Sequence, residues 1–584
     1  MKKSLLTVLL CLPALAAHAV SPESATSDAA ASKAQNAAAQ PSALTPQTLF
    51  LILAGEMALA QGQVGVATES YKEAALFSRS PEVVERAAQL AAAARRADLA
   101  LALTKLWRDL QPASTDAFDM EAELLYQAGR FPELTVFLGK GLKTAPRAAQ
   151  QNIFELVARL ADSGVDPARR GDFRAMADAL GELAPQLPEA HYLQALGALA
   201  MEDRAAARAQ IQQARQLGFA DQENLILLDA RLIAQEKGDA GAKEIIAQLS
   251  AFLKTHPKAD KARLALARAY LSQNDVKPAR AQFSRLARDN PDRPDILYPA
   301  ALLALEENDP ASARDLLTRL LALPFDKGTT LFFLGQTEEA DKKPADALTW
   351  YQRVPSGSGH FWQAREAAVR VMLQTPAPDR AAQIKAALDY VEKTPAETPA
   401  DRLLRDRLKA RLQVEGGDFD GAYQTLSAAA KEAPDEPNLV YDLALAADRI
   451  GRFEEMESLL RKLIAAQPDN ANALNALGYS LADRNQRLPE ALGLIGKALE
   501  LDPGSPYIQD SMGWALYRLG RMDAALAALE KAWKILPDPE IAAHLGEVLW
   551  QSGRQSEAIQ LWNEAAKAAP ENDTLQATRK RFLP

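Results

Sequence analysis

The sequence predicts an all-α, right-handed superhelical solenoid of helical hairpins, on three observations. Alanine and leucine dominate, aromatic residues are 6% and charged residues 24%, a composition with high helix propensity throughout. Pro434, Pro468, Pro503, Pro537 and Pro570 recur at intervals of 34, 35, 34 and 33 residues. A chain of 584 residues is also too long for one ordinary core, whereas a repeat array can grow because each unit packs only on its neighbours.

Taken in order, the first segment is a targeting signal over residues 1–19. Lys2 and Lys3 give a positive start, Leu5 to Ala16 an apolar run too short to span a bilayer, and Ala17-His18-Ala19 a small-x-small cleavage site. A periplasmic product beginning near Val20 is expected. Cys11, the one cysteine, is a poor lipidation site because Leu10 precedes it and apolar sequence continues beyond it. Outer-membrane attachment is therefore in question, and the mature chain is expected to lack cysteine chemistry. Residues 20–43 are rich in Ala, Ser, Gln and Pro without an apolar period, the composition of a flexible linker.

Residues 44–355 read as an N-terminal array and 404–570 as a more regular C-terminal array. Between them, 356–403 contains PSGSGH and TPAETPAD and reads as an irregular connector or hinge. A second irregular stretch falls at about 147–187. Residues 571–584 read as a polar capping helix, as the end of a solenoid requires. The whole corresponds to fourteen or fifteen hairpins.

The repeat is clearest near the C-terminus. Met512-Gly513 is followed by Ala525, Leu529, Ala532 and Pro537; Leu545-Gly546 by Ala558, Trp562, Ala565 and Pro570; Leu477-Gly478 by Ala491, Ile495, Ala498 and Pro503. Ala444 and Ala410 open the two preceding copies. Each slot has a physical purpose. Where two helices of a hairpin cross closely both need small side chains, which places Gly513 against Ala525. The residues four and seven positions on form one apolar stripe. Proline ends the second helix. Gly451, Gly520 and Gly553 end first helices in a left-handed conformation. Period and slots resemble the tetratricopeptide repeat. Weaker copies lie upstream, as in Ala267, Tyr270, Ala279, Phe283, Leu286 and Pro291. Trp107 and Trp562 fall in packing slots.

Chemistry is harder to find. His18, His191, His256, His360 and His544 are scattered and form no H-E-x-x-H pair; no G-x-S-x-G elbow or phosphate loop occurs. No catalytic residue, metal site or cofactor is expected. A formal charge of -9 without a basic stripe speaks against nucleic acid. His544 reads as a groove-lining or exposed residue.

First helices of such hairpins line the inside of the superhelix. There the sequence places Asn438, Tyr441, Asn472, Asn475, Tyr479, Tyr507, Asp510, Trp514, Tyr517, Glu540 and Trp550. Asparagine amides can pair with a peptide backbone, and tyrosine and tryptophan dominate interface hot spots. These residues, Glu540 apart, are the candidate partner-binding set. Tyr479, Tyr517 and Trp550 fit equally well as fillers between neighbouring first helices. The basic-and-asparagine pattern that grips a terminal carboxylate is missing.

Two regions carry a narrower resemblance: LNALGYSLADRNQRLPEALGLIGKALELDPGSPYIQDSMGWALYRLGRMDAAL with DPEIAAHLGEVLWQSGR, and LFLILAGEMALAQGQVGVATESYKEAA with SPEVVERAAQLA. They resemble bacterial outer-membrane tetratricopeptide lipoproteins that act as adaptors for a periplasmic carboxyl-terminal processing protease. That resemblance implies a protein that binds and activates the protease and presents envelope substrates, including peptidoglycan hydrolases. The alternative is a repeat scaffold for cell-envelope assembly or polysaccharide export. The poor lipidation site departs from those relatives, and no short functional motif carries over residue by residue.

Overall fold

The computed structural model describes residues 45–162, 164–376, 378–570 and 572–583. The signal, Cys11 and the linker to residue 43 lie outside the described residues. Within them the chain is helical and contains no strand.

The chain divides into two compact units, at Leu323 and Pro324. Unit 1 runs through α1 (Pro46–Ala60), α2 (Val64–Ser78), α3 (Pro81–Ala93), α4 (Ala97–Leu110), α5 (Thr115–Gln127), α6 (Phe131–Thr144), α7 (Arg147–Asp162) and α8 (Arg170–Leu183). It continues with α9 (Pro188–Ala200), α10 (Arg204–Ala214), α11 (Glu223–Lys237), α12 (Ala242–Thr255), α13 (Asp260–Ser272), α14 (Val276–Asp289), α15 (Pro294–Glu306) and α16 (Pro310–Leu321). Unit 2 contains α17 (Lys327–Ala340), α18 (Pro344–Gln352), α19 (Phe361–Gln374), α20 (Arg380–Glu392), α21 (Pro399–Glu415), α22 (Phe419–Glu432), α23 (Pro437–Arg449) and α24 (Phe453–Ala466). It closes with α25 (Ala471–Asp483), α26 (Leu488–Leu501), α27 (Pro506–Arg518), α28 (Met522–Ile535), α29 (Pro539–Gln551), α30 (Gln555–Ala568) and α31 (Asp573–Phe582). Most consecutive helices from α1 to α30 pair into hairpins, an all-α solenoid of the tetratricopeptide type; α7 and α8 are the exception, and α8 packs on α6 and α9 instead.

The second helices of unit 2 show why the period is readable. Their buried residues are Ala422, Leu426 and Ala429; Met456, Leu460 and Leu463; Ala491, Ile495 and Ala498; Ala525, Leu529 and Ala532. Spacings of four and three put each trio on one stripe, and burying a large member stabilises its hairpin by about 1.5–3 kcal/mol. Trp562 and Trp107 are core residues, 0% and 3% exposed. The opening glycine does more than meet the alanine. A Cβ on Gly513 would lie 3.2 Å from the Ala525 carbonyl oxygen but 2.5 Å from Leu529 Cγ. The expected facing of Gly513 and Ala525 is thus refined: the missing side chain makes room chiefly for the large residue four positions later.

The helix ends follow local chemistry. Pro437, Pro506 and Pro539 occupy the first turn of first helices, where a missing N–H costs nothing. Asn470, Ser505 and Asp538 accept from backbone N–H groups at helix starts. Gly451, Gly520 and Gly553 adopt the left-handed conformation in the intra-hairpin turns. Arg95, Glu202, Asn274, Asn308 and Lys342 do so elsewhere without glycine's freedom.

Residues 147–187 depart from the tight hairpin. Between α7 and α8 lies a 3-10 turn, Pro167–Arg169, and α8 packs its Phe173 against Tyr126 and Phe131. Residues 356–403 hold α19, α20 and the start of α21; α19 and α20 carry ordinary buried stripes.

Candidate functional site

In unit 2 the first helices α25, α27 and α29 bring together much of the residue set read from the sequence. At its centre lies His544, 8% exposed. Its Nδ1 sits 2.8 Å from Asp510 Oδ2, and its Nε2 lies 3.5 Å from the Tyr479 hydroxyl. The imidazole stacks on the Trp514 indole at 4.3 Å between ring centroids. Trp514 Nε1 donates to Asp483 Oδ1 at 3.1 Å. The Tyr517 hydroxyl donates to Glu547 Oε1 at 3.2 Å, and Arg581 of α31 pairs with the other oxygen of Glu547.

This arrangement is electrostatically lopsided. Burial works to lower the pKa of His544, but Asp510 in direct contact, with Asp483 and Glu540 nearby, raises it overall. Burial raises the phenol of Tyr479, reinforced by Asp483, Asp510, Glu540 and Asp448. A buried imidazolium is tolerable here because a carboxylate touches it. With one nitrogen bound by Asp510, the other facing Tyr479 and a ring face covered by indole, the imidazole presents little surface to a reacting group.

The structure corrects three of the sequence expectations. Trp514 is not an open anchor but is 5% exposed, because the neighbouring α25 and α29 supply a hydrogen-bond acceptor and a stacking ring. Asp510 is buried as the counter-charge to His544, and His544 is neither exposed nor lining an open groove. Trp550 stacks on Trp562 and lies tilted against Phe582, in the aromatic end of the array. Tyr479 and Tyr517 are half-buried, as fillers between first helices would be.

Other members of the set stay available. Tyr507 is 55% exposed. Asn472 is exposed, as is Glu540 outside the set, and so is Asn438, which donates to Glu436 Oε1 at 3.3 Å. Tyr441 is half-buried, and burial raises its pKa. Asn475 Oδ1 and Asp510 Oδ1 are buried acceptors without a partner among the described residues. The sequence reading missed Asp483 and Glu547; their signal was a carboxylate one repeat away from Trp514 and from Tyr517. Among the described residues no group of three His, Cys, Asp or Glu side chains could hold a metal, and no helix is long and apolar enough to cross a membrane.

A repeat solenoid of this kind presents side chains for protein recognition, and comparison with known proteins agrees with that class. Two tetratricopeptide repeat models match, one at residues 232–304 and 413–478, the other at 298–361 and 511–573. The chain is 31% identical over 510 residues to the TPR repeat-containing protein PA4667 of Pseudomonas aeruginosa, covering 86% of this chain and 82% of that one. It belongs to the tetratricopeptide repeat family. It is also 26% identical over 369 residues to cellulose synthase operon protein C of Pseudomonas fluorescens, spanning 57% of this chain but only 27% of that protein. Among solved structures, the APC/C hetero-tetramer Cut9-Hcn1 aligns over 93% of this chain and 97% of that chain at 14% identity, with a TM-score of 0.28.

Proposed function

We propose that this protein is a non-catalytic periplasmic adaptor that binds a carboxyl-terminal processing protease, raises its activity and presents envelope substrates such as peptidoglycan hydrolases. The observation that carries the binding role is a set of first-helix side chains, Asn438, Asn472 and Tyr507, exposed on a scaffold whose packing slots are already full. Rigid stacking lowers the entropy lost when a partner docks. The choice of partner rests on the resemblance of segments near both ends of the chain to protease adaptors.

The test is affinity capture from envelope extract with mass spectrometry, followed by protease assays with and without the purified chain. Recovery of a processing-type serine protease whose turnover rises in the chain's presence supports the adaptor. Recovery of transport or assembly components alone sinks it and favours an envelope-assembly scaffold. The partial likeness to a cellulose synthase operon protein keeps that second reading in view.

A further inference from the structure

Elsewhere in unit 2, first helices α21 and α23 are packed less closely than α25 and α27. They enclose a half-open hollow of about 340 Å³. Its apolar wall comprises Leu404, Leu408 and Val414 of α21, Leu426 of α22, and Leu445 and Ala446 of α23. Leu404, Val414 and Leu445 are 37%, 37% and 39% exposed. The repeat explains the hollow. The position after the small packing residue is Tyr479 in α25 and Trp514 in α27, where the rings fill the space between neighbours. In α21 and α23 that position holds Arg411 and Leu445, and no ring closes the gap.

Three guanidinium groups, Arg407, Arg411 and Arg449, line the same hollow with two carboxylates, Asp442 and Glu366. Arg407 Nε is held by Asp442 Oδ2 at 2.6 Å. Arg411 reaches Glu366 only at 3.8 Å, with both side chains more than half exposed, a contact worth little in water. Arg449 has no carboxylate partner among the described residues and lies 5.9 Å from the centre of the Phe419 ring. The rim is thus locally positive, three cations against two anions, on a chain whose formal charge is -9.

We propose that this hollow is an anchor pocket for an acidic, apolar peptide segment of a protein partner: a Leu- or Phe-like side chain enters the apolar wall while adjacent Asp or Glu side chains meet Arg411 and Arg449. The volume lies at the low end of the ~300–1,000 Å³ typical of ligand pockets. That size and an open side suit a side-chain anchor on a longer chain. Guanidinium forks suit carboxylates because two parallel N–H groups match two oxygens. The proposal deepens the adaptor reading by naming the chemistry the partner must offer.

The experiment is a synthetic peptide array permuting acidic, basic, polar and large apolar residues, probed with the full chain and with R411E, R449E and L445Q. All three side chains are solvent-accessible, and circular dichroism melts verify that each variant folds. The expected result is capture of peptides combining Leu, Ile or Phe with Asp or Glu, weakened about tenfold or more by each charge reversal. Lysine in place of the acids, or serine in place of the apolar residue, abolishes capture. Captured peptides that are basic, or capture insensitive to all three substitutions, overturn the pocket. So does retention of fatty acid or anionic vesicles by the wild type that these substitutions abolish, with no peptide captured. An array success with no protease in the envelope pull-down leaves the pocket standing and removes the adaptor reading. The reverse outcome removes the pocket alone.

Discussion

Helices α21 and α23 occupy the same repeat positions as α25, α27 and α29, yet the side chains at those positions differ in chemistry and in burial. Three residues before the small packing residue, α21 has Arg407 where α27 has Asp510. One residue after it, α21 has Arg411 where α27 has Trp514 and α29 has Glu547. One region is an arginine-rimmed hollow; the other is a filled cluster of rings and carboxylates around His544. The fold supplies the positions, and single side chains decide whether a position packs against the next repeat or stays open to a ligand.

The widest gap between the regions should appear when the shared position is emptied. Trp514→Ala removes a buried ring together with its hydrogen bond to Asp483 and its stacking on His544, so we expect a loss of about 3–5 kcal/mol by urea unfolding. Leu445→Ala, at the same position in α23, should cost under about 1 kcal/mol because its side chain already borders a hollow. Equal losses would dissolve the distinction between a filled and an open position.

Acidity gives a smaller effect confined to the filled region. The folded pKa of His544 is raised above its ordinary 6.5, with Asp510, Asp483 and Glu540 opposing its burial. A raised pKa means the folded state holds its proton more tightly. The stabilisation is therefore complete below about pH 6.5 and declines as pH rises through the folded value. His544→Gln should destabilise by about 1.5–3 kcal/mol at pH 6, the range for a hydrogen bond to a charged group, and by less at pH 9. Thermal melts of both proteins across that range read the difference; a gap that widens with pH contradicts the pairing with Asp510. The smallest effect belongs to the open region, where Arg407 and Asp442 are each about a third exposed. A double-mutant cycle there should give about 0.2–1 kcal/mol, shrinking in salt.

The contrast also shows what a sequence can disclose. The stripe of Ala525, Leu529 and Ala532 was legible because packing inside one hairpin depends on residues close in the chain. Upstream hairpins were harder to read where Arg95, Glu202, Asn274, Asn308 and Lys342 hold the left-handed turn that glycine marks elsewhere. For the site, the residue types on the first helices were legible, but their accessibility was not. The burial of Trp514 depends on Asp483 and His544, each about thirty residues away on a different helix. The hollow was less legible still, because it arises from rings that α21 and α23 lack, and an absent side chain leaves no motif.

The approach of Tyr479 to His544 joins α25 to α29 across the intervening α27. In a solenoid each repeat ordinarily touches only the next, so the array behaves like a spring whose compliance lies in its individual joints. A latch that skips a repeat stiffens two joints together, and the three hairpins beneath it resist bending as one segment. Pulled or twisted, unit 2 should yield outside this latched segment, where first helices such as α21 and α23 touch each other less than α25 and α27 do.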